Sequence, residues 1–172
     1  MMFLFGRSYV MKRIIVSIAE QRMKLFQDQS LVFECSVSTA LAGPGEAMNS
    51  GKTPRGEHII RAKIGADQPL GSVFVGRRPT GEIWSEALNR KYPERDWILS
   101  RILWLSGCEV GFNRGGRFDS MRRYIYIHGT PDDQPMGIAK SHGCVRMRNI
   151  DMVALFDLVD SGCQVLIQED RF

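Results

Sequence analysis

His128, His142 and Cys144 fall within one short stretch of this chain, IHGTPDDQPMGIAKSHGCVRM (127–147), separated by glycines and a proline-bearing loop. Two kinds of chemistry leave such a trace. Zinc takes Cys and His, and three protein ligands with a water make a catalytic site. A cysteine beside an imidazole is instead a nucleophile with its base. A free thiol, with a pKa of about 8.5, is mostly protonated at neutral pH and needs that help. The metal reading is the poorer one, because no second pair of ligands stands at a recognisable spacing and His58 is the one histidine left over. A third reading makes each residue structural, with Cys144 a small buried hydrophobe. Taken singly that is acceptable; taken with Gly129, Gly143 and Arg146 it loses ground. In the nucleophile reading His128 is the base, and Gly143 keeps side chains away from backbone N–H groups that could hold an oxyanion. Such a donor is typically worth about 10²–10³ in rate.

The elements that must position these residues are mostly strands. RYIYIHG (123–129) is an apolar strand that delivers His128 at its end, and the loop 129–141 turns the chain so that Cys144 can face it. Upstream, residues 13–19, 22–27 and 30–37 alternate as a meander, with QDQS as one of its turns. A Gly/Pro/Asn/Ser-rich loop (42–56) leads to a strand at 57–65, with short strands expected at 72–77, 80–85 and 99–105. Residues 86–97 are polar and helical up to Pro93. The stretch 107–123 is a glycine-rich, basic loop. After the cysteine, NIDMVALFDLVDSG is the strong helix: Asn149 can cap it, Met152, Leu155, Phe156 and Val159 make its buried stripe, and Gly162 can end it. CQVLIQ (163–168) returns as a last strand. The expectation is an α+β, β-rich fold over one domain, 1–172.

Composition excludes several classes. At 44% hydrophobic and 24% charged over 172 residues, the chain is an ordinary globular one, with a mild net charge of +4. No run approaches the ~18 apolar residues of a membrane helix. Met1–Phe5 is too short for a signal-peptide core and RIIVSIAEQ lacks both length and a cleavage site, so no export signal is expected, with Met11 an alternative start. Four cysteines without a CxxC pair suit a reducing compartment. Cys35, Cys108 and Cys163 have no histidine close by and read as structural or incidental. Cytoplasmic localisation is therefore expected, with the periplasm as alternative.

HGT (128–130) followed by SHGCVRM (141–147) resembles the signature of the L,D-transpeptidase (YkuD) catalytic domain, and GKTPRGEHII (51–60) resembles that family's Thr-Pro-x-Gly segment at Thr53, Pro54 and Gly56. The resemblance spans roughly 12–168. It implies a YkuD-like mixed β-sandwich with one main helix after the catalytic cysteine. It makes Cys144 the nucleophile toward a murein stem peptide, attacking after the L-centre of meso-diaminopimelate and expelling D-alanine. It makes His128 the base, oriented by the backbone carbonyl of Gly129. His142 would support the cysteine loop, Gly143 and Cys144 would supply oxyanion N–H groups, and Ser141 and Arg146 would lie on the substrate side, Arg146 toward a substrate carboxylate.

The acceptor separates the readings that remain. Without export, an intact wall is out of reach, which favours water as acceptor and an L,D-carboxypeptidase of murein recycling, taking a tetrapeptide or disaccharide-tetrapeptide. The alternatives are L,D-transpeptidation forming cross-links in the periplasm, and a non-catalytic module binding murein fragments. No cofactor, metal, nucleic-acid partner or membrane span is expected, and the oligomeric state is left open. Residues 86–122 read as a lid or substrate-side wall, where Arg114, Arg117, Arg122 and Arg123 could attract carboxylates.

Overall fold

The computed structural model describes residues 10–172; the reading of Met1–Phe5 lies outside the described residues. The chain starts as the expected meander, β1 (Lys12–Ser17), β2 (Arg22–Gln27) and β3 (Ser30–Ser36), all antiparallel. Its alternation puts Ile14, Val16, Met23 and Leu25 fully inside. Burying such a side chain contributes roughly 1.5–3 kcal/mol. The tight turns fall on Gln21 and Asp28, both at positive φ.

The strand β10 (Gln164–Gln168) lies parallel to β1 and antiparallel to β4 (Gly56–Ile64), which in turn pairs with β7 (Ile98–Gly107). β7 organises the site. One of its edges is shared between β4 and the hairpin β5–β6 (Ser72–Val75, Arg78–Ile83), and the other carries β8 (Tyr126–Thr130). β9 (Val145–Arg148) adds in parallel to β8. A single curled, mixed sheet results, with α1 (Glu86–Lys91) on the connection into β7 and α2 (Asn149–Leu158) directly after β9.

Side chains alternate along β8 and β9, and residues paired across adjacent strands share a face. Ile127, Val145 and Met147 therefore point into the main core, where they meet Met152, Leu155, Phe156 and Val159, the stripe expected for α2. Tyr126, His128 and Arg146 take the opposite face, and Cys144 packs there beside Phe74, Ile102 and Tyr126. The core needs the odd positions, so the chemistry inherits the even ones.

Three expectations need correction. Asn149 does not cap α2: Arg148 holds the cap position without a side-chain hydrogen bond, and the Asn149 amide turns inward. Gly162 is not the helix stop, since α2 ends at Leu158 and Gly162 belongs to the following turn. Residues 86–122 are not one lid, because they contain β7, a core strand with neighbours on both edges.

Candidate active site

His128 is the last but two residues of β8 and only 1% exposed. Its Nδ1 lies 2.7 Å from the carbonyl oxygen of Gly129. A carbonyl only accepts, so in the neutral ring Nδ1 carries the proton and Nε2 keeps the free lone pair. Burial holds the imidazole pKa down at about 4, against an ordinary 6.5. The ring is thus neutral at physiological pH, with its basic nitrogen unblocked by the orienting bond.

Gly129 has no room for a side chain. A Cβ there would stand 2.5 Å from Asn149 Oδ1 and 2.6 Å from the Leu99 carbonyl oxygen. These neighbours form a buried brace. Ser100, at a bulge of β7 with φ +68°, donates to Asn149 Oδ1 at 2.6 Å, and Asn149 Nδ2 donates to the Thr130 carbonyl at 2.9 Å. The amide expected to cap a helix instead ties β7, β8 and α2 together around the histidine.

Cys144 sits one residue before β9, level with Tyr126 and diagonal to His128. Diagonal neighbours on one face have Cα atoms roughly 7–8 Å apart, within reach of long side chains. In the resting state the sulfur accepts the Tyr126 N–H at 3.3 Å and its thiol donates to the Tyr124 carbonyl at 3.4 Å. Those bonds, rather than one to the imidazole, hold the thiol. Burial pushes the thiol pKa up to about 11, and the Tyr126 N–H works against that rise. The resting pair is a neutral thiol and a neutral imidazole.

The loop that presents Cys144 is fastened from within. Thr53, fully buried, donates to the Gly143 carbonyl at 2.8 Å and accepts the Ala40 N–H at 2.9 Å. Ser141 donates to the Cys144 carbonyl at 2.5 Å, and its oxygen accepts the Gly143 N–H at 3.2 Å. Ser141 is therefore an internal strut, not an open substrate contact. The Gly143 N–H is already engaged, while the N–H of Cys144 is not used by the loop's own hydrogen bonds. Gly143 holds φ +133°, a region that side chains disfavour.

Arg146 differs from its expected role as well. Its side chain is 10% exposed, and its guanidinium donates to Asp96 Oδ1 at 2.8 Å and to the Lys140 carbonyl at 3.3 Å. The cation is already paired with the half-exposed carboxylate of Asp96. His142, by contrast, is 75% exposed and faces Asp96 at 3.7 Å and Arg146 at 3.3 Å, so it lines the rim rather than supporting the cysteine loop. A recess of about 270 Å³ opens here, bounded by Asp96, Trp97, Thr130, His142 and Arg146. The part of the expected lid that reaches the site is the stretch after α1, through Asp96. Arg123 is a brace too, donating to the carbonyls of Gly45, Glu46 and Lys52. Sequence reasoning missed Asp96, Asn149 and Tyr126, whose roles depend on which strands pair.

A larger cavity, about 760 Å³, lies at the start of β1 near Cys163 and contains no histidine. Among the described residues no cluster of three His, Cys, Asp or Glu side chains could hold a metal ion, and no helix is long and apolar enough to cross a membrane.

A β-rich domain with a thiol and a buried, backbone-oriented imidazole on one sheet face is the class of a cysteine acyl-transfer catalyst. A model of the L,D-transpeptidase catalytic domain (YkuD) matches residues 11–167, and the chain belongs to that family. Two Bacillus subtilis proteins named for the family, YqjB and YkuD, are 38% and 37% identical to it over 62 and 60 residues. These matches cover 36% and 32% of this chain and 34% and 37% of those proteins. An L,D-transpeptidase from Mycobacterium smegmatis shares the fold with a TM-score of 0.57 at 18% identity, covering 92% of this chain and 59% of that one. L,D-transpeptidase 3 from Mycobacterium tuberculosis matches at 0.57 and 16%, over 93% of this chain and 62% of its own. The chain thus spans about three-fifths of these two solved chains.

The buried histidines make a pH prediction. His58, 1% exposed, contacts the Gly56 carbonyl and Ser120 Oγ, and burial lowers its pKa to about 4, as for His128. The unfolded chain binds these protons near pH 6.5 and the folded chain does not. Stability is therefore full above about pH 7 and falls as pH drops from 6.5 toward 4. At 1.36 kcal/mol per unit, each histidine costs about 3 kcal/mol by pH 4. Denaturant midpoints between pH 7.5 and 5 check this, and His58→Gln should roughly halve the slope. A midpoint constant over that range would contradict it.

Proposed function

We propose that this domain cleaves the bond between meso-diaminopimelate and D-alanine in peptidoglycan tetrapeptides through a Cys144 thioester, with water as the acceptor. The observation that carries the reading is the His128 ring. Gly129 takes Nδ1, which leaves Nε2 as a base on the face that Cys144 shares. Cys144 Sγ attacks the diaminopimelate carbonyl while its proton passes to Nε2. The tetrahedral intermediate, with its oxyanion toward the Cys144 N–H, collapses and expels D-alanine, whose amine takes that proton from His128. Water then attacks the thioester, His128 accepts its proton, and tripeptide and the free thiol are released.

Two observations favour water and soluble fragments. The recess beside Arg146, about 270 Å³, suits a single amino acid better than a second stem peptide. All four cysteines are free thiols, which fits a reducing compartment and so a cytoplasmic role in recycling. The test is incubation with disaccharide-tetrapeptide, with and without an amine donor, followed by product masses. Tripeptide in both arms is the expected result. Dominant cross-linked dimer would establish the transpeptidase reading instead, and tight binding without turnover would make the domain a fragment-binding module.

A further inference from the structure

We infer that Arg77 is a carboxylate-binding residue on the donor-peptide side of Cys144. This rests on the stem-peptide substrate proposed above and names a contact for it. The β5–β6 connection is a two-residue turn, Gly76–Arg77, with φ +55° and +64° between the paired residues Val75 and Arg78. Such turns favour Asn, Asp and Gly, and a left-handed conformation costs another residue roughly 1–2 kcal/mol. An arginine at this place is held there by specific contacts. Its guanidinium lies 4.4 Å from the centre of the Trp104 ring and 5.1 Å from that of Tyr124, and it donates to Tyr126 Oη at 3.0 Å. Trp104 is itself fixed, edge-on to Tyr126 and donating to the Met121 carbonyl.

Those same tyrosines hold the nucleophile, since Tyr126 N–H and the Tyr124 carbonyl are the partners of Cys144 Sγ. Arg77 and the thiol thus both hang from the stretch 124–126, the guanidinium from its tyrosine side chains and the sulfur from its backbone. Stacking leaves guanidinium N–H groups unused, and among the described residues no carboxylate comes within ion-pair distance of Arg77. The contrast with Arg146 decides the assignment. Arg146 is neutralised by Asp96 at the Thr130 end of β8, whereas Arg77 presents an uncompensated, pre-oriented cation at the Tyr126 end. A tetrapeptide lying across Cys144 with D-alanine in the recess would carry its upstream half past Arg77. That half offers two carboxylates, one on the distal centre of diaminopimelate and one on D-glutamate.

The experiment compares wild type, Arg77→Ala and Arg77→Lys on tetrapeptides whose diaminopimelate or glutamate carboxyl is free or separately amidated. Removing a charged hydrogen bond should raise KM about 10-fold on the free acid with kcat within about 2-fold. It should leave KM unchanged on the amide of the carboxylate concerned, which identifies that group, and Arg77→Lys should recover part of the loss. Calorimetry of the same peptides on Cys144→Ala protein gives the affinity without turnover, and melting temperatures report any loss of the aromatic packing. Equal KM changes on acid and both amides, or none, would overturn the inference while leaving the enzyme reading intact. Absent turnover with Arg77-dependent binding would do the reverse, and peptides that neither bind nor react would remove both.

Discussion

Cys144→Ala is expected to lower turnover by about 10⁴-fold or more, as loss of a nucleophile that acts with its base does, while the melting temperature stays within about 2 °C. The change removes one sulfur, and the fastening of the loop through Thr53, Ser141 and Gly143 runs through backbone groups and hydroxyls that the substitution keeps. The same site predicts an unusual reactivity. With the thiol pushed up to about 11 and His128 down to about 4, no thiolate–imidazolium pair exists before substrate arrives. Alkylation of Cys144 by iodoacetamide, followed by peptide mass mapping, should be slow at pH 7. It should rise about 10-fold per pH unit from there to about pH 10 and level off above about 11, tracking the thiolate fraction. Turnover should not follow that curve, because substrate attack and proton transfer to Nε2 occur together. Fast alkylation at pH 7 with a plateau would mean a preformed ion pair, and activity surviving in Cys144→Ala would end the covalent mechanism.

The strands were legible because period-2 alternation is a local signal. Ile14 and Val16, Met23 and Leu25 announce one buried face each, and the stripe of α2 is equally local. The cysteine box was legible through residue types and spacing, and Thr53 through a resemblance that did not say what it does. Its bonds to Gly143 and Ala40 supply the reason. What sequence could not supply was register. Asn149 looks like a cap until Ser100 and Thr130 are known to be its neighbours, and that depends on a bulge in β7. Arg146 looks like a free cation until Asp96, fifty residues away in the chain, is brought to it. Arg77 carries no motif, and only the pairing of β5, β7 and β8 sets it beside Trp104 and the tyrosines. Hydrophobic pattern decides which face a residue takes; non-local pairing decides whom it meets there.

Gly129→Ala is the second large effect, and it tests the brace rather than the chemistry. The added methyl would stand 2.5 Å from Asn149 Oδ1 and 2.6 Å from the Leu99 carbonyl oxygen, both closer than carbon can come. Asn149 is held by Ser100 and Thr130, and Leu99 is backbone within β7, so neither can yield cheaply. Relief has to come from β8 moving away from β7, and β8 carries both His128 and the carbonyl that orients it. Overpacking of a tight interior typically costs 1–3 kcal/mol, and this site belongs near the upper end, at about 3 kcal/mol. A shift of about 1 Å in the base should lower kcat by about 10²-fold through lost alignment. Asn149→Ala added to Gly129→Ala removes one clash and keeps the other, so it should recover only part of the stability. The readouts are denaturant midpoints for both variants and kcat at constant pH. A Gly129→Ala protein with unchanged midpoint and unchanged kcat would show that β7 and β8 are not locked together at this point. The orientation of His128 would then have to come from somewhere other than the brace.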